Sequence, residues 1–297
     1  MKVAINYRGL RKYFLRQEAF DLFGRFSPAV AVDIAGNWYF VSTSDKGVSR
    51  ITFGQGSFEQ DHMAETFRLI EELMGGPFLS DRTFIDVGAN IGTSTIPAIR
   101  NFGASNAVAF EPEPQNYRLL RCNVIANDLE DCVQTFPLGL SDKSSTAELE
   151  RAEASWGDHR IRLRSDLVDG IYEESSRPVI EVELATFDDC VRDVPIDLDQ
   201  VGVVWMDIQG HEGQMLLGAT TLTSSSIPVA MEYWPYGLRR ADGLALLHDL
   251  IARHYSQVVD MRASMRQGSV VSLPADQIDR LAETYTGEEY TDLVLLS

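Results

Sequence analysis

Apolar positions recur along the chain at two spacings, and the change from one to the other divides it. Met63, Phe67, Ile70 and Met74 recur every three or four residues, which predicts an amphipathic helix over 58–74 that Gly75, Gly76 and Pro77 end. Upstream, 38–43 and 48–53 are rich in aromatic and β-branched residues and flank Ser44-Asp45-Lys46-Gly47, so together they predict a hairpin. From Thr83 onward, short apolar runs alternate with helical stretches: 83–87, 106–110, 132–140, 179–185, 201–207, 228–233, 256–261 and 291–296. That rhythm predicts an α/β fold built on a doubly wound, mostly parallel sheet. The expected organisation is a small N-terminal α+β extension over 1–76 and a ligand-binding domain over 77–297. Residues 150–178 form a longer connection than the others and are expected to be a lid or substrate-selecting insertion. Inside it, Arg160, Arg162 and Arg164 alternate with Ile161 and Leu163, a row expected on a solvated strand face, with an anionic substrate or carrier as the alternative.

Composition narrows the function classes. At 297 residues, 44% hydrophobic and 24% charged, the chain is neither fibrous nor disordered. Twenty-six basic residues against 44 acidic give a net charge of −18, which argues against general nucleic-acid binding. Lys2, Arg8, Arg11, Lys12 and Arg16 stand without an acid in 1–16. That segment is a candidate contact for an acidic carrier or membrane surface, set against docking on the protein's own acidic body. Cys122, Cys132 and Cys190 show no C-x-x-C spacing and are expected to be reduced, buried thiols. No apolar run approaches the roughly 18 residues that span a bilayer, so the expected setting is cytoplasmic, without a transmembrane segment.

In a doubly wound sheet, ligands bind outside the carboxyl ends of the strands. The residues there are Asp86, Glu111, Asp142, Asp207 and Glu232, which makes the expected site acidic. The strongest motif is Thr83-Phe84-Ile85-Asp86-Val87-Gly88-Ala89-Asn90-Ile91-Gly92-Thr93-Ser94, a strand entering a glycine turn and then a helix. It lacks the G-K-[ST] of a phosphate loop and the G-x-G-x-x-G of a dinucleotide fingerprint. Asp86 favours a cationic or amine-bearing ligand over a pyrophosphate. Glu111, 25 residues later, suits both hydroxyls of a ribose, the alternative being that Glu111-Pro112-Glu113-Pro114 merely turns the chain into a helix.

These motifs, with Asn116 and Asn123, then Met206-Asp207-Ile208-Gln209-Gly210-His211-Glu212, Leu216 and Gly218-Ala219, then Glu232-Tyr233-Trp234-Pro235, resemble the FkbM-type S-adenosylmethionine-dependent methyltransferases. The resemblance covers about 57–240. It implies a class I methyltransferase fold, a seven-stranded, mostly parallel sheet whose last strand is antiparallel, and makes 77–297 an S-adenosylmethionine-binding catalytic domain. It implies methylation of hydroxyls on natural products and saccharides. Asp86, Gly88, Asn90 and Gly92, with Thr93, resemble the loop around the methionine moiety, and Glu111 the ribose acid. Phe58-Glu59 resembles an aromatic-acid pair carried before the preceding helix, which adds Glu59 to the cofactor contacts.

The remaining assignments come from position. Asp142 is expected either at the adenine amine or as a simple turn carboxylate. Asp207, His211 and Glu232 are candidate acceptors for the proton of an alcohol, Asp207 also lying beside the cofactor. Metal-free base catalysis is preferred to a cation held by these acids. Glu212, Trp234 and Tyr236 are candidate substrate contacts, with loop packing as the alternative for the aromatics. A small-molecule or saccharide acceptor is expected. The competing functions are a nicotinamide-dependent oxidoreductase, disfavoured by the absent third glycine, and a non-catalytic cofactor-binding scaffold.

Overall fold

The computed structural model describes residues 7–56, 60–162, 170–194 and 196–297. Glu59, Arg164 and Lys2 lie outside them, as do the side chains of Arg8, Arg11 and Lys12. The N-terminal extension begins with helix α1 (Tyr7–Phe23). A hairpin follows, β1 (Ala29–Ile34) and β2 (Asn37–Ser42), then α2 (Val48–Gln55) and α3 (Gln60–Met74). The expected hairpin is displaced by one element. Residues 37–42 do form a strand, but it pairs backward with 29–34 across Ala35 and Gly36, both at positive φ (53° and 88°). Residues 48–55 are helical because the buried Asp45 accepts the Gly47 and Ser49 N–H groups, at 2.9 and 2.7 Å, which opens a helix rather than a second strand.

The central sheet collects β3 (Thr83–Val87), β4 (Asn106–Phe110) and β5 (Val133–Phe136). A separate small sheet holds β6 (Gly139–Leu140), β7 (Ser145–Glu150), β8 (Arg160–Arg162) and β9 (Val179–Ala185). The central sheet resumes with β10 (Val201–Met206), β11 (Val229–Tyr233), β12 (Gln257–Asp260), β13 (Ser272–Pro274) and β14 (Thr291–Leu296). Its order is β13-β12-β14-β11-β10-β3-β4-β5. The five strands from β5 to β11 run parallel, and β14 is antiparallel to β11, as expected. The expected seven strands are eight, because the three-residue β13 pairs antiparallel with β12 at the edge. The apolar run at 179–185 joins the small sheet, and 132–140 splits at Pro137 between the two sheets.

Side-chain alternation along the strands fills both faces. Phe84, Ala109 and Trp205 face α3, α4 (Thr95–Arg100) and α5 (Pro114–Ala126). Ile85, Val108 and Met206 face α6 (Phe187–Asp193) and α7 (Glu212–Leu217). The hairpin joins the first face through two asparagines of α5. Asn123 accepts the Phe40 N–H and donates to Phe40 O and Ile91 O, while Asn127 bonds Trp38 N and O. All three cysteines are free, Cys190 buried but Cys122 exposed, which corrects its expected burial. No described helix is long and apolar enough to cross a membrane.

Candidate cofactor and acceptor cleft

The carboxyl ends of β4, β3 and β10 are tied together at the glycine loop. Phe110 O accepts the N–H groups of Gly88 and Ala89, both at 3.0 Å, and Val87 O accepts the Asp207 N–H at 3.0 Å. A Cβ on Gly88 would lie 2.0 Å from Asp207 O, and the residue sits at φ 92°, so only glycine permits this approach. Asn90 and Gly92 complete the turn at φ 50° and 91°. Asp86 lies beneath the loop, fully buried. Its Oδ2 accepts the hydroxyls of Ser94 (2.6 Å) and Thr95 (2.5 Å) at the start of α4. Burial pushes its carboxyl up to about 6. It braces the loop from below instead of forming the cleft wall.

Glu111 faces the cleft. Its two oxygens accept backbone N–H groups of Asn90 (2.9 Å) and Glu113 (2.8 Å), and burial, with lesser repulsion from Glu113 and Asp86, raises it to about 8. The helix-turning role falls to Glu113, which caps α5 by accepting the N–H groups of Gln115 and Asn116 and pairs with Arg151 at 3.3 Å.

Two spaces open above this edge and share Gly88, Asn90, Gly157, Asp207 and Gln209. One, of about 560 Å³, is lined by Glu111, Asn116, Trp156, His159 and His211. The other, of about 840 Å³, is lined by Thr93, Ser94, Asp158, Trp205, Glu232 and Tyr290. At their junction, Gln209 Nε2 donates to Asp207 Oδ1 at 2.6 Å and to Glu232 Oε2 at 2.9 Å. Two acids from different strands are thus bridged by one amide. Burial raises Asp207 to about 6, with the charges of Asp292, Asp86 and Asp158 adding to the effect. Sequence reasoning passed over Gln209. The signal was its place as a polar residue inside the Asp207–Glu212 turn, directly after the carboxyl end of β10.

The Methyltransferase FkbM domain matches residues 86–265. The chain belongs to that family. Among curated relatives of this FkbM methyltransferase, "Methyltransferase sdnD" of Sordaria araneosa is 27% identical over 192 residues, 57% of this chain and 71% of that protein. The Ribosomal protein L11 methyltransferase of Pelobacter propionicus is 35% identical over 91 residues, 30% of this chain and 28% of that one. Among solved structures, the Methyltransferase FkbM of Methylobacillus flagellatus KT is similar at a TM-score of 0.42 and 15% identity. That match covers 72% of this chain and 43% of that one, so the chain spans less than half the length of that structure.

The other candidate residues of this methyltransferase divide between cleft and support. His211 lines the 560 Å³ space, 3% exposed, with Nε2 2.9 Å from Ser141 Oγ; burial lowers it to about 4. At neutral pH it is therefore an uncharged hydrogen-bonding group. Asp142 is exposed outside the lining and accepts the Ser141 hydroxyl at 3.0 Å. Glu212 is buried under the turn, accepting the N–H groups of Ile208 and Gly210, and burial raises it to about 7. Trp234 and Tyr236 line neither space. The Arg160 guanidinium lies 4.5 Å from the centre of the Trp234 ring, and the Tyr236 hydroxyl donates to Glu174 Oε1 at 2.6 Å.

The insertion is bound down on both sides. The Trp156 carbonyl accepts the side-chain amides of Asn90 and Asn116, each at 3.2 Å, and its N–H donates to Asp45 Oδ1 at 3.0 Å. Arg160 is 5% exposed, caged by Trp234 and Tyr172 and paired with Asp158 and Glu174, while Arg162 pairs with Glu150. Arg160 and Arg162 therefore do not form a solvated face: Trp234, just past β11, and Tyr172, Asp158 and Glu174 of the insertion itself enclose Arg160. Among the described residues, no group of three His, Cys, Asp or Glu side chains is gathered to hold a metal ion.

Proposed function

We propose that this FkbM methyltransferase uses S-adenosylmethionine and methylates a hydroxyl of a small molecule or saccharide. The residues of the 560 Å³ space fit that cofactor. Asn90 Oδ1 and Asn116 Oδ1 are buried acceptors without partners, Glu111 lies beside them, and no lysine or arginine lines the space. Such a donor set suits a ribose, an ammonium and a sulfonium, and does not suit the pyrophosphate of NAD. When bound, S-adenosylmethionine supplies a methyl group already activated by its positive sulfur.

The Asp207–Gln209–Glu232 bridge carries the assignment of chemistry, because it stands where the cofactor space meets the acid-lined space. An alcohol is a weak nucleophile until its proton leaves. Asp207, raised toward neutrality and exposed to both spaces, accepts that proton. Gln209 fixes the carboxylate's orientation, and Glu232 holds the amide from the far side. Asp158, the third acid of the acceptor space, is anchored by Arg177 at 2.6 Å and offers a second acceptor for substrate hydroxyls. The acid-rich lining and the net charge of −18 disfavour phosphorylated acceptors.

Calorimetric titration with S-adenosylmethionine, S-adenosylhomocysteine and NAD tests the cofactor: the first two bind and NAD does not. NAD binding alone would overturn the assignment in favour of an oxidoreductase. With an acceptor in hand, Asp207→Asn lowers turnover by about 10²-fold or more while the dissociation constant of S-adenosylhomocysteine changes little. Unchanged turnover would remove Asp207 from proton transfer.

A further inference from the structure

Two histidines line the cofactor side of the cleft, and each keeps one ring nitrogen buried and without a partner: Nε2 of His159 and Nδ1 of His211. Their other nitrogens fix where the ring hydrogens lie. His159 Nδ1 accepts the Ala152 N–H at 3.0 Å, so the neutral ring carries its hydrogen on Nε2. His211 Nε2 lies 2.9 Å from Ser141 Oγ, and the single hydroxyl hydrogen of Ser141 goes to Asp142 Oδ1 at 3.0 Å. The serine oxygen can then only accept, so His211 Nε2 carries the ring hydrogen and Nδ1 presents a lone pair. The same space thus offers one buried donor and one buried acceptor. Burial keeps both rings neutral, pushing His159 down to about 3 with help from Arg151 and Arg177, and His211 down to about 4. Buried polar atoms left unsatisfied are rare and costly, and a pair of opposite polarity in one cleft marks a ligand edge that alternates donor and acceptor.

We propose that His211 and His159 read the amino edge of adenine, His211 Nδ1 accepting from the exocyclic amine and His159 Nε2 donating to the adjacent ring nitrogen. The proposal rests on the S-adenosylmethionine assignment above. It makes His211 a cofactor-recognition residue and gives Asp142 a positioning role, exerted through Ser141, in setting the tautomer of that ring. His159 comes from the insertion, so that connection contributes a polar contact to the cofactor side of the cleft.

The test compares S-adenosylhomocysteine with its 6-deaminated counterpart, in which a carbonyl replaces the amine and the neighbouring ring nitrogen carries hydrogen. This swap reverses both polarities while leaving sugar and amino acid unchanged. Calorimetry on the full chain should show the adenine form binding at least about tenfold more tightly. In His211→Phe and in His159→Phe that ratio should fall toward one. If His211→Phe does not fold, as judged by circular dichroism, His159→Phe and His211→Asn carry the comparison, the asparagine retaining an acceptor and part of the preference. Equal binding of both ligands by the wild-type chain, or a ratio unchanged in folded His159→Phe and His211→Phe variants, would overturn the histidine assignment and leave the cofactor assignment standing. Failure of the wild-type chain to bind either ligand would overturn the cofactor assignment itself.

Discussion

At the scale of single residues, Glu111 shows how one carboxyl can carry a measurable signature of its ligand. Burial pushes its carboxyl up to about 8, outweighing the support of two backbone N–H groups. To accept two ribose hydroxyls it must be ionised, so binding requires loss of a proton at neutral pH. The sign follows: affinity for S-adenosylhomocysteine strengthens as pH rises from 7 to 9, with proton release detectable by calorimetry in buffers of different ionisation heat. Glu111→Gln weakens binding by about 1.5–3 kcal/mol and flattens that pH dependence. A wild-type profile that is flat across this range would show that Glu111 does not meet the ribose. Gly88 makes the opposite kind of prediction. Its missing side chain admits the Asp207 carbonyl, so Gly88→Ala costs roughly 3 kcal/mol or more of folding stability, read as a lowered melting temperature without any ligand present. A substitution there reports on strand packing first and on cofactor only through it.

At the scale of elements, Asn123 is the clearest case of a side chain replacing a strand. Its amide pairs with both backbone groups of Phe40 and with Ile91 O, so one residue of α5 fastens the hairpin and the glycine loop together. Asn123→Ala leaves three backbone groups, that of Ile91 buried and those of Phe40 half-buried, without that partner and should lower stability by about 2–3 kcal/mol, measured by urea unfolding; a loss below about 0.5 kcal/mol would show that water replaces the amide. This link was legible only in part. The order of motifs picked out Asn123, but no spacing argument joins it to Phe40, 83 residues away. The parallel core was legible because its strands are apolar on both faces, and β10 is buried at every position. The hairpin was misplaced because Asp45, a turn residue by type, acts here as a helix-opening acceptor and as the hook for Trp156. The small sheet was missed for another reason: Val179–Ala185 was grouped with the central strands by its apolar residues, whereas Glu181 and Glu183 alternate with them on an exposed face and the strand pairs antiparallel with Ser145–Glu150. Arg160 carries the same lesson. A charge in a strand row looks solvated until the aromatics that enclose it, Tyr172 and Trp234, are known to come from elsewhere.

At the scale of the whole molecule, the charge balance and the buried site act in one direction. Glu111 at about 8 and Glu212 at about 7 both hold protons in the folded state that an unfolded chain would have lost near 4.5. A carboxyl raised by folding adds stability at low pH and loses it as pH climbs through its folded value. The neutral histidines pull the other way, but only below their unfolded value of about 6.5, so above that pH the carboxyls dominate. The unliganded protein should therefore lose stability between pH 6.5 and 8.5, on the order of 2 kcal/mol, and its melting temperature should fall by about 5 °C. A net charge of −18 deepens this trend at low salt, since each added negative charge meets an already acidic body. A cationic ligand that satisfies ionised Glu111 should reverse much of the loss, so melting curves recorded with saturating S-adenosylmethionine should be flatter across the same range. If the free protein instead became more stable toward pH 8.5, the buried carboxyls would have to be ionised already, and the site would be an open, solvated cleft in solution instead of one held neutral until its ligand arrives.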